Sequence, residues 1–343
     1  MSAGTGIVVA LVLVWAVTAG VHDAGTLTAS GIASRALPPR AALGIVAVFG
    51  FAGPLLAGTA VATTIASTFD LGDLSPGDAL RAVSAGLLAA VAWNVLTWRL
   101  GLPASSTHGL IGGLVGATVA AAGLDDVDWG VDALAEGRLE GVAKVVAALL
   151  LSPLVGLLLG ALVLRAAAAA LRGARVGWNR RLRLLQWPTV AGLSFAHGWN
   201  EAQKSMGVIA LALLAGGATD RLEVPQWAVV VAAATIPVGA FVGGSRIIRT
   251  LGYGVYRLRP IHAAGAQATA AAVVAATSAW GGPVSTSQVT SSAIIGVGAA
   301  EHPRAVRWGT GKEMLVAWLL TIPATAILGA LLAGILRAGA AIG

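Results

Sequence analysis

The chain has 343 residues, of which 57% are hydrophobic and 11% charged, whereas a soluble domain carries about 25% charged residues. Its net charge of +7 is carried mainly by arginines lying between apolar runs, which excludes a nucleic-acid footprint and points to membrane topology. The absence of cysteine excludes disulfides, thiolate metal sites and cysteine nucleophiles.

Apolar runs able to cross a bilayer of about 30 Å recur from end to end, and the short alternating segments of a β-barrel do not occur. The expected fold is therefore an all-α polytopic membrane protein. Spans are predicted at 7–31, 41–69, 79–99, 104–122 and 139–168, then at 188–215, 226–244, 262–278, 284–300 and 313–337. Residues 1–19 lack a basic flank and a cleavage site, so they read as a retained first span. Several runs exceed the ~20 residues that one crossing needs, so tilted, broken or re-entrant helices are expected. The tryptophans read as interface anchors.

Loop charge alternates along the chain. Arg35 and Arg40 follow the first span, Asp70, Asp73 and Asp78 the second, and Asp125 to Asp132 the fourth. A basic stretch at 171–187 follows the fifth span. Lysine and arginine mark the cytoplasmic side, so the linker 171–187 is expected inside and both termini outside. The chain divides into a first transmembrane repeat (1–170) and a second (188–343). An odd number of spans per half, five each, implies that the halves are inverted relative to one another.

Four polar motifs interrupt the apolar sequence. In the first, Gly20 to Thr26, glycines 20, 25 and 31 suggest a helix break that frees carbonyls for a cation, with Asp23 as hard ligand or proton acceptor. His22 either carries a proton or serves as a satisfied hydrogen-bond partner. In the second, Pro103 precedes Ser105, Ser106, Thr107 and His108, the signature of a helix start with Ser105 or Ser106 as cap. Gly109/Gly113 and Gly112/Gly116 then have the spacing of close helix contact.

The third motif places His197, Asn200, Glu201, Gln203 and Lys204 in one apolar run, where ionisable groups mark a solute path. The fourth, Pro283 with Ser285, Thr286, Ser287 and Gln288, repeats the second. Asp23 stands 80 residues before Pro103, and Glu201 stands 82 before Pro283. Two polar motifs per half at matched spacing define an internal repeat, the layout of secondary transporters. Two opposed helix N-termini lined with hydroxyls make a cradle for a tetrahedral anion. Gly309 to Glu313 is not a P-loop, since Val306 replaces its first glycine and Glu313 its hydroxyl residue. His262 is expected near the interface and His302 in a loop.

These stretches resemble the inorganic phosphate transporter (PiT) family of sodium- or proton-coupled phosphate permeases. The resemblance is carried by Gly20 to Ala24, Ser34 to Arg40, Trp93 to Trp98, Pro103 to His108, Ala196 to Gly207, Arg257 to Pro260 and Pro283 to Thr286. It implies an inverted-repeat fold, often a homodimer, in the plasma membrane, importing phosphate by symport and acting as a carrier, not an enzyme.

On that resemblance, Ser105, Ser106, Thr107, Ser285, Thr286, Ser287, Gln203 and Lys204 are expected to hold phosphate. His22, Asp23, Thr26, Asn200 and Glu201 are expected to hold the coupling cation or proton. Asp23, Asn200 and Glu201 would ligate Na⁺, with His108, His197 and Gln288 as secondary candidates. No resident cofactor is expected, and a divalent-metal–phosphate complex is an alternative form of the substrate. The chain departs from the family pattern at Thr26, Glu201, Gln267 and Gln288. Those departures leave the coupling ion open and sulfate or another oxyanion as an alternative substrate; a channel is a separate alternative class, against which the matched carboxylates of the two repeats speak.

Overall fold

The computed structural model describes residues 2–175, 177–242 and 245–342. Val176 in the linker and the last two positions of the span expected at 226–244 lie outside the described residues, as do Met1 and Gly343. The elements are helical: α1 (Ala3–Ala33), α2 (Pro39–Leu56), α3 (Ala60–Ser67), α4 (Pro76–Leu100), α5 (Ser106–Ala121), α6 (Val131–Ala135) and α7 (Gly141–Ala170). The second half holds α8 (Trp178–Ala215), α9 (Gln226–Val242), α10 (Ser245–Tyr253), α11 (Pro260–Ala279), α12 (Thr286–Glu301) and α13 (Trp308–Ile342). Phe69 and Val127 form an isolated antiparallel bridge between two loops.

Among the described residues, five helices are long and apolar enough to cross a membrane: α1, α2, α4, α7 and α13. A sixth crossing follows if α9 and α10, bent by 78°, are one broken span. The broken and half-length helices expected among the ten predicted runs are found, and they fall at particular places. The run at 41–69 breaks into α2 and α3. The runs at 104–122 and 284–300 become α5 and α12, each 16 residues and so about 24 Å long, short of a hydrocarbon core of about 30 Å. Both follow a non-helical stretch that turns the chain inward, 102–105 and 282–285.

The predicted break at His22–Asp23 does not occur. α1 runs unbroken through residues 3–33, and α8 runs unbroken from 178 to 215 through the third motif. In lipid a helix satisfies its own backbone groups, so a glycine is not enough to open one. Gly20 serves close packing instead: a Cβ there would lie 3.1 Å from the Gly239 Cα of α9. The basic linker is also largely helix, because α8 begins at Trp178 rather than near 188.

The glycines of α5 behave as their spacing predicts. Gly113 lies against Gly86 of α4, and Gly112 and Gly116 lie against Ile322 and Ala326 of α13. α12 is held in the same manner by α7, where Gly156 and Gly160 face Val289 and Ala293. The half-helices are thus clamped by full-length neighbours, while α8 packs against α1, α2, α3 and α11. The main core gathers Trp15, Leu110, Leu114, Leu149 and Leu211 from α1, α5, α7 and α8. Leucines of α7 and α13, such as Leu151, Leu158, Leu320 and Leu331, face outward as a lipid-facing surface does. Trp178, Trp187, Trp280 and Trp308 are exposed as interface anchors should be, but Trp15 is fully buried in the core. The half-buried Trp318 indole donates to the Pro103 carbonyl at 2.8 Å and pins the turn before α5.

Candidate functional site

The half-helices α5 and α12 start side by side in the middle of the fold. Ser105 and Ser285 are their caps, accepting from the N–H groups of His108 (3.1 Å) and Gln288 (3.3 Å). Capping engages the oxygens of these two hydroxyls. The next two residues of each turn, Ser106–Thr107 and Thr286–Ser287, are directed at α1 and α8. His108 and Gln288, equivalent positions of the two motifs, meet at 3.3 Å, so the repeats touch through matching residues.

Each hydroxyl turn addresses the other repeat. The Ser287 hydroxyl donates to Asp23 Oδ1 at 2.5 Å, and Thr26 Oγ1 lies 3.4 Å from Ser287 Oγ. The Ser106 hydroxyl donates to Glu201 Oε1 at 3.3 Å. Lys204 Nζ donates to Glu201 Oε2 and to Thr107 Oγ1, both at 2.5 Å, and to the Val284 carbonyl at 2.9 Å. All of these side chains are buried. Glu201 and Lys204 are one helical turn apart, the spacing at which helix side chains pair.

Ligand atoms of Asp23, His197 and Glu201 all lie within 4.8 Å of one another, so the carboxylates from the two repeats share one cluster. His197 Nδ1 is 3.2 Å from Thr286 Oγ1. Two carboxylates drawn together inside the protein form a donor set suited to a hard cation or a proton. With both ionised, the single ammonium of Lys204 leaves a net negative charge.

Other expected residues sit at the edge of this cluster. Gln203 Oε1 accepts from the N–H groups of Val61 (2.7 Å) and Ala62 (3.3 Å), so it caps α3, while its buried Nε2 has no partner among the described residues. Asn200 donates to Ser278 Oγ at 2.8 Å and to the Gly282 carbonyl at 3.4 Å, leaving Oδ1 buried and, among the described residues, unpartnered. His22 turns toward α4: its Nε2 donates to the Asn94 carbonyl at 2.8 Å, and Nδ1 has no partner among the described residues. Gln267 stands outside the cluster, accepting from Thr189 at 2.6 Å and donating to Ser30 at 2.8 Å.

Sequence reasoning missed Val284, Asn94, Ser278 and the start of α3 as partners. Val284 and the α3 N–H groups contribute only backbone, which leaves no side-chain signal. The Glu201–Lys204 pair did carry a signal, its three-residue spacing.

Paired half-helices, a two-repeat helical frame and a buried cluster of acids and hydroxyls at the repeat contact define a multi-pass membrane carrier. The chain belongs to the phosphate transporter family, whose profile matches residues 19–175 and again 171–329. That family is one of transporters, not enzymes. The chain is 40% identical over 335 residues to the probable low-affinity inorganic phosphate transporter of Mycobacterium tuberculosis (strain ATCC 25618 / H37Rv), covering 96% of this chain and 77% of that one. It is 36% identical over 317 residues to the protein of the same description from Bacillus subtilis (strain 168), covering 91% of each. A solved structure described as the sodium-dependent phosphate transporter superposes with a TM-score of 0.86 at 21% identity, over 98% of this chain and 99% of that one. The likeness establishes the fold.

Proposed function

We propose that this protein is a secondary active transporter that imports inorganic phosphate by symport with Na⁺ or H⁺. The observation that carries the reading is the crossed arrangement of hydroxyl turns and acids. Ser287 of one repeat donates to Asp23 of the other, and Ser106 and Thr107 face Glu201 and Lys204. A cation or proton bound by the carboxylates releases those hydroxyls and the N-terminal N–H groups of α5 and α12 to donate to a tetrahedral anion. Gln203 adds an amide donor whose hydrogens are unengaged. A cluster already negative repels a dianion until cations offset it, which makes the two binding events mutually dependent.

Asn200 Oδ1, buried and unpartnered, is a further oxygen for Na⁺. The names of the relatives, phosphate transporters throughout, and of the sodium-dependent structural match support substrate and coupling. The His108–Gln288 contact supports inverted repeats. The alternating loop charge supports both termini outside and the 171–187 linker inside, in the plasma membrane. A homodimer rests on the family resemblance and is tested by mass in detergent. The reading needs no resident cofactor.

The test is labelled phosphate uptake into proteoliposomes under imposed Na⁺ or H⁺ gradients, with sulfate as competitor. Uphill accumulation driven by one gradient and indifferent to sulfate is expected. Downhill flux alone would mean a channel, and strong inhibition by sulfate a broader oxyanion carrier.

A further inference from the structure

Two arginine-bearing stretches singled out in the sequence, Ser34 to Arg40 and Arg257 to Pro260, take no part in the carboxylate cluster. They lie 222 residues apart, counting from Arg35 to Arg257, yet the fold joins them. Arg35, Arg257, Arg259 and Arg307 line a single cavity of about 510 Å³. Its walls come from the end of α1, the end of α10, the first turn of α11 and the turn before α13. Ala33, where α1 ends, is ten residues beyond Asp23, roughly 15 Å along the helix, so this cavity is separate from the carboxylate cluster.

The charge balance inside it is one-sided. Glu301, at its edge, is already shared: it pairs with Arg259, accepts from the Tyr256 hydroxyl at 2.8 Å and lies 2.9 Å from His262 Nε2. Burial, with hydrogen bonding to that carboxylate, pushes the Tyr256 phenol up to about 12, so it stays a donor to Glu301. Arg307 donates to the Tyr253 carbonyl at 3.3 Å. The side chains of Arg35 and Arg257 have no hydrogen bond or ion pair among the described residues. Arg35 is the one non-glycine residue with a left-handed backbone among the described residues, at φ 58°, a strained conformation that marks a position held by its surroundings.

With Arg259 paired to Glu301, the guanidiniums of Arg35, Arg257 and Arg307 are three like charges on one concavity, and they repel one another unless an anion sits among them. Guanidinium forks match paired oxygens of a phosphate group and bind them bidentately. The first turn of α11 adds the positive end of a helix dipole. We propose that this cavity is a second anion site, which takes a phosphate group carried either by inorganic phosphate or by an anionic lipid headgroup. Occupancy ties the end of α1, the helix that bears Asp23, to α10 and α11. The assignment stands on this geometry whatever the carboxylate cluster transports.

The test uses the full chain and the Arg35→Gln/Arg257→Gln double variant, which removes the two unengaged guanidiniums. Equilibrium binding of labelled orthophosphate is measured at low and high salt. In parallel, native mass spectrometry follows retention of phosphatidylglycerol against phosphatidylcholine. Loss of a salt-sensitive orthophosphate component, at least tenfold in affinity, identifies free phosphate as the occupant. Loss of the preference for phosphatidylglycerol, with orthophosphate binding unchanged, identifies the lipid headgroup. Wild-type behaviour in both assays overturns the proposal. If the double variant folds poorly, Arg257→Gln alone reads the same binding, expected at least threefold weaker, and unchanged binding again overturns it.

Discussion

Asp23 and Glu201 hold equivalent places in the two repeats, and the difference in charge between their surroundings lies in one residue a single turn further along the helix. Glu201 is followed three positions later by Lys204, whose ammonium lies 2.5 Å from its carboxylate. Asp23 is followed three positions later by Thr26, and its partner is the Ser287 hydroxyl. Both acids are buried to the same degree. One is compensated within its own helix; the other depends on a hydroxyl from the opposite repeat. Repeat symmetry therefore brings the acids together, while the residue at the next turn assigns them different work. Glu201 is bound into the framework, and on the proposed reading Asp23 is the acid whose charge depends most on the coupling cation.

The variant that most severely breaks this contrast is Lys204→Met. It leaves Glu201 buried without a cation, which should cost about 3–5 kcal/mol. A thermal melt should show a large loss of stability, and uptake should disappear. Asp23→Asn separates stability from function. It removes no cationic partner, so the melting temperature should stay near the wild-type value, while gradient-driven phosphate uptake is lost. If Asp23→Asn destabilised the protein as much as Lys204→Met, the division of roles would be wrong.

Ser287→Ala takes from Asp23 its hydrogen bond to a charged group, worth about 1.5–3 kcal/mol. Uptake should weaken more than in Ser106→Ala, because Glu201 keeps Lys204. Equal losses in side-by-side uptake assays would contradict that ranking. Glu201→Asp is the mildest change. One methylene shorter, the side chain no longer spans both Ser106 and Lys204, and losing one contact of about 1 kcal/mol should raise the half-saturating phosphate concentration about fivefold. An unchanged value would show that Ser106 does not need the longer acid.

Much of this site could be read before any fold was known. Charged and amide groups at 197–204 inside apolar sequence announce a solute path, and the Pro103 and Pro283 motifs announce two capped helix starts. Ser105 and Ser285 do cap α5 and α12. The glycine spacings of α5 predict its close contacts. What was misread concerned continuity. Glycines near Asp23 suggested a break, but backbone hydrogen bonding in lipid keeps α1 whole, and the breaks fall before α5 and α12, where proline removes a donor. Basic residues at 178–187 suggested a loop, but the same arginines are good helix formers and extend α8. Trp15 was grouped with the interface tryptophans because a lone residue carries no sign of which helix face it is on.

Composition, loop charge and the spacing of two motif pairs were enough to point to a two-repeat helical membrane carrier and to name most of the side chains that the fold gathers where the repeats meet. Those properties are local: hydropathy acts segment by segment, and a cap is decided by a few adjacent residues. Which atoms meet was settled only in three dimensions. The Val284 carbonyl reaches Lys204, Gln203 caps α3 and His22 turns away to Asn94. Each of these contacts joins groups far apart in the chain or uses backbone that has no residue signature, so it depends on how whole helices pack, and packing belongs to the complete fold.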